Sequence, residues 1–400
     1  MAQSALEYIR TVENLRDVWR EFAGRGGIKS SAGIDGVTPA LFRDDLGRRL
    51  SHISEAMKGG YEFSSLRGVV LPKKEPGKTR LICVPTVADR LVQRALLRKV
   101  EARSIQLGIA NDVSFGFVRP PTGEKRGTNA ARQAAVSLRA SSPWLLKADI
   151  SAFFDTIQRA ALIDGLAGKF RLRSLQPLLR GVINCEVHLN NDRVRKSVAA
   201  NKIFKGVGLR QGMPLSPILS NFVLRDFDTV VGSKHAMVRY ADDMLIFCKS
   251  RSECDDANAL VNGELEKVKL SLSIPKTKVC EPEESVEFLG MELGRSKDGA
   301  SYSLIVSHEQ MQEIRASFIS LHDWQVAQRQ GMDVTDLFTR LEQMKRGYLT
   351  AYGSAENKAL LAEKLDRWVS NCADKIYGSI FGSERVTALT KEKRKFLMLP

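Results

Sequence analysis

A chain of 400 residues with 43% hydrophobic side chains has room for two or three packed units, and the absence of any long low-complexity tract excludes a largely disordered polypeptide. Its 61 Lys and Arg against 46 Asp and Glu leave a net charge of +15, which favours nucleic acid as a partner over the alternatives of an anionic membrane surface or solubility alone. No run approaches the roughly 20 apolar residues of a membrane span, and the opening MAQSALEYIRTVENL lacks the apolar core of a secretory leader, so neither is expected.

In chain order, residues 1–26 carry Leu6, Ile9, Val12, Leu15, Val18, Trp19 and Phe22 at helical spacing, and Gly24, Gly26 and Gly27 end the pattern. A Gly-containing loop, Ser31 to Thr38, precedes a helix over about 39–58. Gly68-Val69-Val70-Leu71-Pro72 and Arg80-Leu81-Ile82-Cys83-Val84-Pro85 read as paired strands around a Pro76-Gly77 turn, and a helix follows over about 86–107. A buried strand over 144–150 closes on Asp149, with a helix near 157–170. A second Gly-rich loop, Gly206 to Gly212, leads into a helix at 216–231; it lacks the spacing of a dinucleotide-binding turn. After the segment around Asp242 and Asp243 come a helix near 252–270, short strands near Val279 and over 286–292, and helical periodicity from His308 onward.

Basic residues are unevenly spread. Residues 66–147 hold 16 Lys or Arg and 5 Asp or Glu, and residues 166–210 hold 10 against 2. Between them, residues 148–165 carry three Asp and one Arg, an acidic centre between basic walls. The six cysteines show no CxxC spacing and histidine is scarce, so no zinc site is expected; reduced, buried thiols and a cytoplasmic setting are.

Tyr240-Ala241-Asp242-Asp243 lies inside an apolar run, Met237-Val238-Arg239 before it and Met244-Leu245-Ile246-Phe247 after. Carboxylates among strand formers are costly unless paired, hydrogen-bonded or bound to metal, so the segment reads either as a hairpin presenting two acids to a divalent cation or as an exposed turn. Asp149 tips another apolar strand. Carboxylates from separate strands are what two-metal phosphoryl transfer requires, and an all-oxygen donor set suits Mg²⁺.

These segments together resemble a reverse transcriptase of the bacterial kind related to group II intron enzymes, in ordered blocks from Gly33 to Leu293. Gly33-Ile34-Asp35-Gly36-Val37-Thr38 is similar to the N-terminal extension block. Leu71-Pro72-Lys73-Lys74, Arg80 through Thr86, Asp89-Arg90 and Val92-Gln93 resemble the first fingers block. Ser114-Phe115-Gly116-Phe117 with Arg119-Pro120 resembles the second, with Val118 extra. Motifs A to E are matched in turn by Asp149-Ile150-Ser151-Ala152-Phe153-Phe154-Asp155, Arg210-Gln211-Gly212-Met213-Pro214-Leu215-Ser216-Pro217, Tyr240-Ala241-Asp242-Asp243, Pro275-Lys276-Thr277-Lys278 and Phe288-Leu289-Gly290.

The resemblance implies an α+β right-hand polymerase: N-terminal extension and fingers over 1–145, a ferredoxin-like antiparallel palm over 146–295 with a basic insertion about 170–205, and a helical thumb over 296–400. It implies that Asp149, Asp242 and Asp243, with the Ile150 carbonyl, hold two Mg²⁺ ions, Mn²⁺ being an alternative occupant. Lys73 and Arg80 would grip the incoming triphosphate, although Arg80 also fits a structural ion pair. Gln211 and Gly212 would shape the nucleotide pocket, Phe153 would lie below the sugar, and Phe154 would be a steric gate against a ribose 2′-hydroxyl unless it is a core aromatic. Lys276 would donate a proton to pyrophosphate or stand exposed in solvent, and Phe288, Leu289 and Gly290 would position the primer. In the thumb, Leu341, Met344, Tyr348, Tyr352, Leu360, Leu361, Leu365 and Trp368 recur at helical spacing among Lys345, Arg346, Lys358, Lys364 and Arg367, a pattern that suits a helical grip on duplex backbone.

The implied reaction is RNA-directed DNA synthesis from dNTPs. The alternatives are an intron maturase or RNA-binding scaffold with a vestigial site, and an RNA-dependent RNA polymerase. The expected partners are an RNA template, dNTPs and the DNA product. With no room expected after the thumb for endonuclease modules, and with Asn129-Ala130-Ala131-Arg132-Gln133 lacking the His of the retron block, the stand-alone form associated with a noncoding RNA and antiphage defence is the expected biological setting. The sequence leaves the oligomeric state open.

Overall fold

The computed structural model describes residues 3–73, 75, 77–119, 123, 125–329, 331–397 and 399. Lys74, Pro76 and Pro120, quoted in the motifs and the turn above, lie outside them. The chain divides by contact into two compact units, one of residues 1–127 with 146–279, the other of residues 128–145 with 280–400.

In the first unit the N-terminal periodicity forms two helices, Ala5–Ile9 and Val12–Gly24, rather than one. The Thr11 side chain caps the second by accepting from the Asn14 N–H. The helix expected over 39–58 is likewise split at Asp45, into Pro39–Asp44 and Leu46–Gly59. The strands Leu66–Pro72 and Thr79–Val84 pair antiparallel, and Val187–His188 joins the first in parallel to make a three-stranded sheet. The helix Val87–Glu101 follows, capped by Thr86. Its Arg90, buried, reaches back to the Pro85 carbonyl, the Ser30 hydroxyl and the Ser31 carbonyl. This pins the N-terminal loop so closely that a Cβ at Gly33 would lie 2.5 Å from the Thr86 Cα. The basic insertion, expected without defined elements, contains the helices Gln176–Ile183 and Asp192–Ala200.

A four-stranded sheet forms the base of this unit. In chain order its elements run strand Trp144–Asp149, helix Ser216–Lys234, strands Ala236–Tyr240 and Asp243–Cys248, helix Arg251–Lys267 and strand Lys278–Cys280. Numbered along the chain, the strands lie side by side in the order 2-3-1-4. A βαββαβ path with that order is the ferredoxin-like arrangement. The segment Asp243–Cys248 is nearly continuous in apolar side chains because it is an inner strand covered on both faces.

The second unit holds the helix Thr128–Ser141, which the sequence reading left without an element, and a three-stranded sheet of Val286–Phe288, Met291–Arg295 and Tyr302–Ile305. The single strand expected over 286–292 is a hairpin. Leu289 and Gly290 at its turn have φ of +52° and +78°, conformations that stop a strand. Helices His308–Ile319, Trp324–Arg329, Val334–Ala351 and Lys358–Phe381 follow. Leu341, Leu361 and Leu365 are fully buried and Trp368 nearly so, whereas Leu360, expected on the apolar face, is exposed.

Arg139 is the fixed point of this unit. It is fully buried and ion-pairs with no carboxylate among the described residues. Its guanidinium donates to the carbonyls of Leu293 (2.6 Å), Glu281 (3.1 Å) and Glu284 (2.5 Å), and lies over the Tyr302 ring. Burial holds its pKa below the ordinary arginine value. Replacing Arg139 with Met strands three carbonyls and should lower the unfolding free energy by about 2–4 kcal/mol. Urea denaturation measures this, and an unchanged midpoint would show that those carbonyls find other partners.

Candidate active site

The acids are placed by a turn whose geometry is forced from below. Tyr240 pairs with Asp243, so Ala241 and Asp242 form a two-residue tip, and Ala241 takes a left-handed φ of +58°, costly for a residue with a Cβ. Arg239, with no exposed surface, holds that tip. Its Nη1 donates to the Ala241 carbonyl (2.9 Å) and to Asn221 (3.0 Å), its Nη2 to the Ser114 hydroxyl (3.0 Å), and its Nε to Asp228 (2.6 Å), which is also fully buried. Asn221 in turn donates to the Gly116 carbonyl (2.7 Å). Gly116 sits where a Cβ would be 3.0 Å from the Ala241 nitrogen, and the Phe117 ring packs on Tyr240 at 5.5 Å. The Ser-Phe-Gly-Phe block is thus the backing of the acidic hairpin.

Asp149 ends the neighbouring strand. The Ile150 N–H donates to the Asp242 carbonyl (3.2 Å), so the two acid-bearing segments are laced together by backbone. The Asp149 carboxylate accepts from Lys276 Nζ at 3.1 Å. Burial, then the negative charge of Asp149, pushes the Asp242 carboxyl above its usual range. Burial works to lower the Lys276 pKa, but its hydrogen bond to Asp149 and the charges of Asp149, Asp242 and Asp243 outweigh it and leave it raised. Lys276 therefore answers all three acids electrostatically. Its side chain is 58% exposed. Asp149, Asp242 and Asp243 do not bring one carboxylate oxygen each within 4.8 Å of one another. Even so, an all-oxygen donor set in which one acid is raised by another fits a hard divalent cation, which would relieve that repulsion.

Beside the acids, Phe153 is buried and Phe154 half-buried, their rings edge to face at 5.5 Å. The loop of Arg210, Gln211 and Gly212 is fastened on both sides. The Leu209 N–H donates to the Phe154 carbonyl (2.7 Å) and the Cys83 N–H to the Gln211 carbonyl (2.7 Å). Gly212 has φ of +100°, and a Cβ there would sit 2.6 Å from the Cys83 carbonyl oxygen, so only glycine fits. Arg80 and Lys73 are exposed on the fingers hairpin, and Arg80 makes no ion pair among the described residues. Phe288, fully buried, and Leu289 and Gly290 at their turn belong to the other compact unit, where Arg132 bonds the carbonyls of Leu289 and Ala351 (the latter at 2.7 Å).

Sequence reasoning missed Glu186. Its carboxylate accepts from Arg159 Nη1 (2.7 Å), Arg210 Nη2 (2.5 Å) and the Gly206 N–H (2.9 Å), and so spans both ends of the Gly-rich loop. Burial opposes its charge, but those donors keep it below the usual carboxylate range. It also missed Arg239 and Asp228, although a lone Arg in the run Met237-Val238-Arg239 was a visible signal of a buried ion pair.

A ferredoxin-like sheet with acids at the end of its central strands and a helical second unit defines the α+β polymerase fold. The chain belongs to the reverse transcriptase (RNA-dependent DNA polymerase) family, whose model matches residues 71–293, and it is an RNA-directed DNA polymerase. It is 26% identical over 333 residues to Protein YkfC of Escherichia coli, covering 72% of this chain and 83% of that protein. It is 27% identical over 184 residues to the group II intron-encoded protein LtrA of Lactococcus lactis, covering 46% of this chain and 28% of that one. It is also 27% identical over 274 residues to the Pol polyprotein of the Drosophila melanogaster element R2DM, covering 61% and 25%.

The hairpin analysis makes a stability prediction. Arg239→Met leaves the Asp228 charge buried alone and should cost about 3–5 kcal/mol, while Arg239→Met with Asp228→Leu should recover most of it. Denaturation of the two variants checks this; a double variant no more stable than the single one would contradict it.

Proposed function

We propose that this polymerase copies an RNA template by adding dNTPs to a primer 3′ end or to a self-provided hydroxyl, with Asp149, Asp242, Asp243 and the Ile150 carbonyl holding two Mg²⁺ ions, or Mn²⁺ in their place. When bound, such ions lower the pKa of the attacking hydroxyl and neutralise the leaving phosphate. The observation that carries the reading is the lacing of Asp149 to the Asp242 segment with Lys276 as their shared counter-charge.

The chain's own residues supply the rest. Exposed Lys73 and Arg80 offer cations to a triphosphate, and Lys276, kept protonated by its acidic neighbours, is poised to give a proton to pyrophosphate. The Gln211–Gly212 backbone, held to Cys83, forms a wall against the base, with Phe153 beneath the sugar and Phe154 closing the space a 2′-hydroxyl would need. Phe288, Leu289 and Gly290 would steady the primer end. Residues 1–145, 146–295 and 296–400 would act as fingers, palm and thumb. A noncoding RNA as template and a role in antiphage defence complete the proposal, supported by resemblance to stand-alone enzymes of this kind; sequencing nucleic acid that co-purifies with the protein tests both.

Asp242→Ala with Asp243→Ala should reduce primer extension at least about a thousandfold, the several kcal/mol expected of lost metal ligation, without loss of the folded state. Cellular function untouched by that change would favour the RNA-binding scaffold instead. Phe154→Ala should shift the choice between dNTP and rNTP toward rNTP by at least about tenfold. Competition assays measure the shift, and no gain of rNTP incorporation would remove Phe154 as the gate.

A further inference from the structure

At the end of the acidic hairpin opposite its tip, a second group of metal-ligating side chains converges. Ala236 pairs with Phe247, so His235 and Cys248 flank the hairpin's open base. His235 follows the helix Ser216–Lys234, its N–H closing that helix on the Val231 carbonyl (2.9 Å). Glu253 and Cys254 come from the first turn of the next helix, which Ser250 caps. One ligand atom each from His235, Cys248 and Glu253 lie within 4.8 Å of one another.

The surroundings aim these atoms inward. The Nδ1 of His235 is buried without a hydrogen-bond partner, 3.6 Å from Glu253 Oε1. The other carboxylate oxygen of Glu253 is committed to the Lys249 N–H at 2.7 Å, which fixes its orientation. Cys248 is fully buried, its thiol facing the Ile246 carbonyl at 4.0 Å, and Cys254, also buried, follows Glu253 on the same helix turn. A buried, unpartnered imidazole nitrogen is rare because it forfeits its hydration.

We propose that His235, Cys248 and Glu253 hold a divalent transition metal of the zinc class, with water in the fourth position, which staples the base of the hairpin to the following helix. One nitrogen, one sulfur and one oxygen are donors that select such an ion over magnesium. Binding displaces the Cys248 thiol proton into solvent. Five strand steps of about 3.3 Å separate Cys248 from Asp243, so this ion lies about 16 Å along the strand from the catalytic acids and plays a structural part. Glu253 is partly exposed, which gives an entry path.

The test is titration of the metal-stripped full chain with Co²⁺ under a reductant. One equivalent should bind with thiolate-to-cobalt charge-transfer absorption and tetrahedral visible bands. Zn²⁺ should abolish the bands and excess Mg²⁺ should leave them, and Asp242→Ala with Asp243→Ala should leave them unchanged. Cys248→Ser and His235→Ala should each weaken Co²⁺ binding at least tenfold. The absence of charge-transfer bands from the unaltered chain at excess Co²⁺ overturns the proposal without reference to any variant's folding. So do bands of full intensity in Cys248→Ser.

Discussion

The ion pair of Arg239 with Asp228 is the constraint on which the acid-bearing end of the palm depends. Neither side chain has exposed surface, so the desolvation cost of both charges is met only by complete pairing. Arg239 spreads its donors over the helix Ser216–Lys234, through Asp228 and Asn221, over Ser114, and over the strained carbonyl of Ala241. One guanidinium therefore fixes the helix, the Ser-Phe-Gly-Phe block and the turn that presents Asp242. Arg is suited to this because its planar fork reaches several fixed acceptors at once, which a lysine could not do.

The same device recurs on either side. Glu186, from the basic insertion, gathers Arg159 and Arg210 and so holds the loop beside Phe154. In the other unit Arg139 and Arg132 bond backbone carbonyls and lie over Tyr302 and Tyr352. Several cations of this basic chain are thus internal braces, and its net charge overstates what is available to a polyanion. The exposed Lys73 and Arg80 belong to the available fraction, whereas Arg90, Arg139, Arg159, Arg210 and Arg239 do not.

Much of the palm was legible because its signals are local. Apolar runs bounded by Asp149 and by Asp242-Asp243 read as strands, and long amphipathic helices followed from periodicity. What escaped were features set by distant partners. The strand Tyr302–Ile305 exists because it pairs with Met291–Arg295, and its own residues gave little alternation to read. The turn at Leu289–Gly290 was hidden because a leucine with positive φ carries no compositional mark. The spacing of single residues gave no hint that His235, Cys248 and Glu253 meet, since only the hairpin's register and the capped helix turn bring them together. Glu186 was invisible for the same reason, being tens of residues from both arginines it joins.

Ala241 carries a consequence for which sequences this position can hold. Its left-handed backbone would accept glycine without steric penalty, yet glycine would also widen the unfolded ensemble and loosen the tip. A β-branched side chain would meet the backbone penalty at a position that is already buried. The residue between Tyr240 and Asp242 is therefore confined to a narrow corridor of size, and drift there during replication of the gene would be filtered by geometry before any question of chemistry arose.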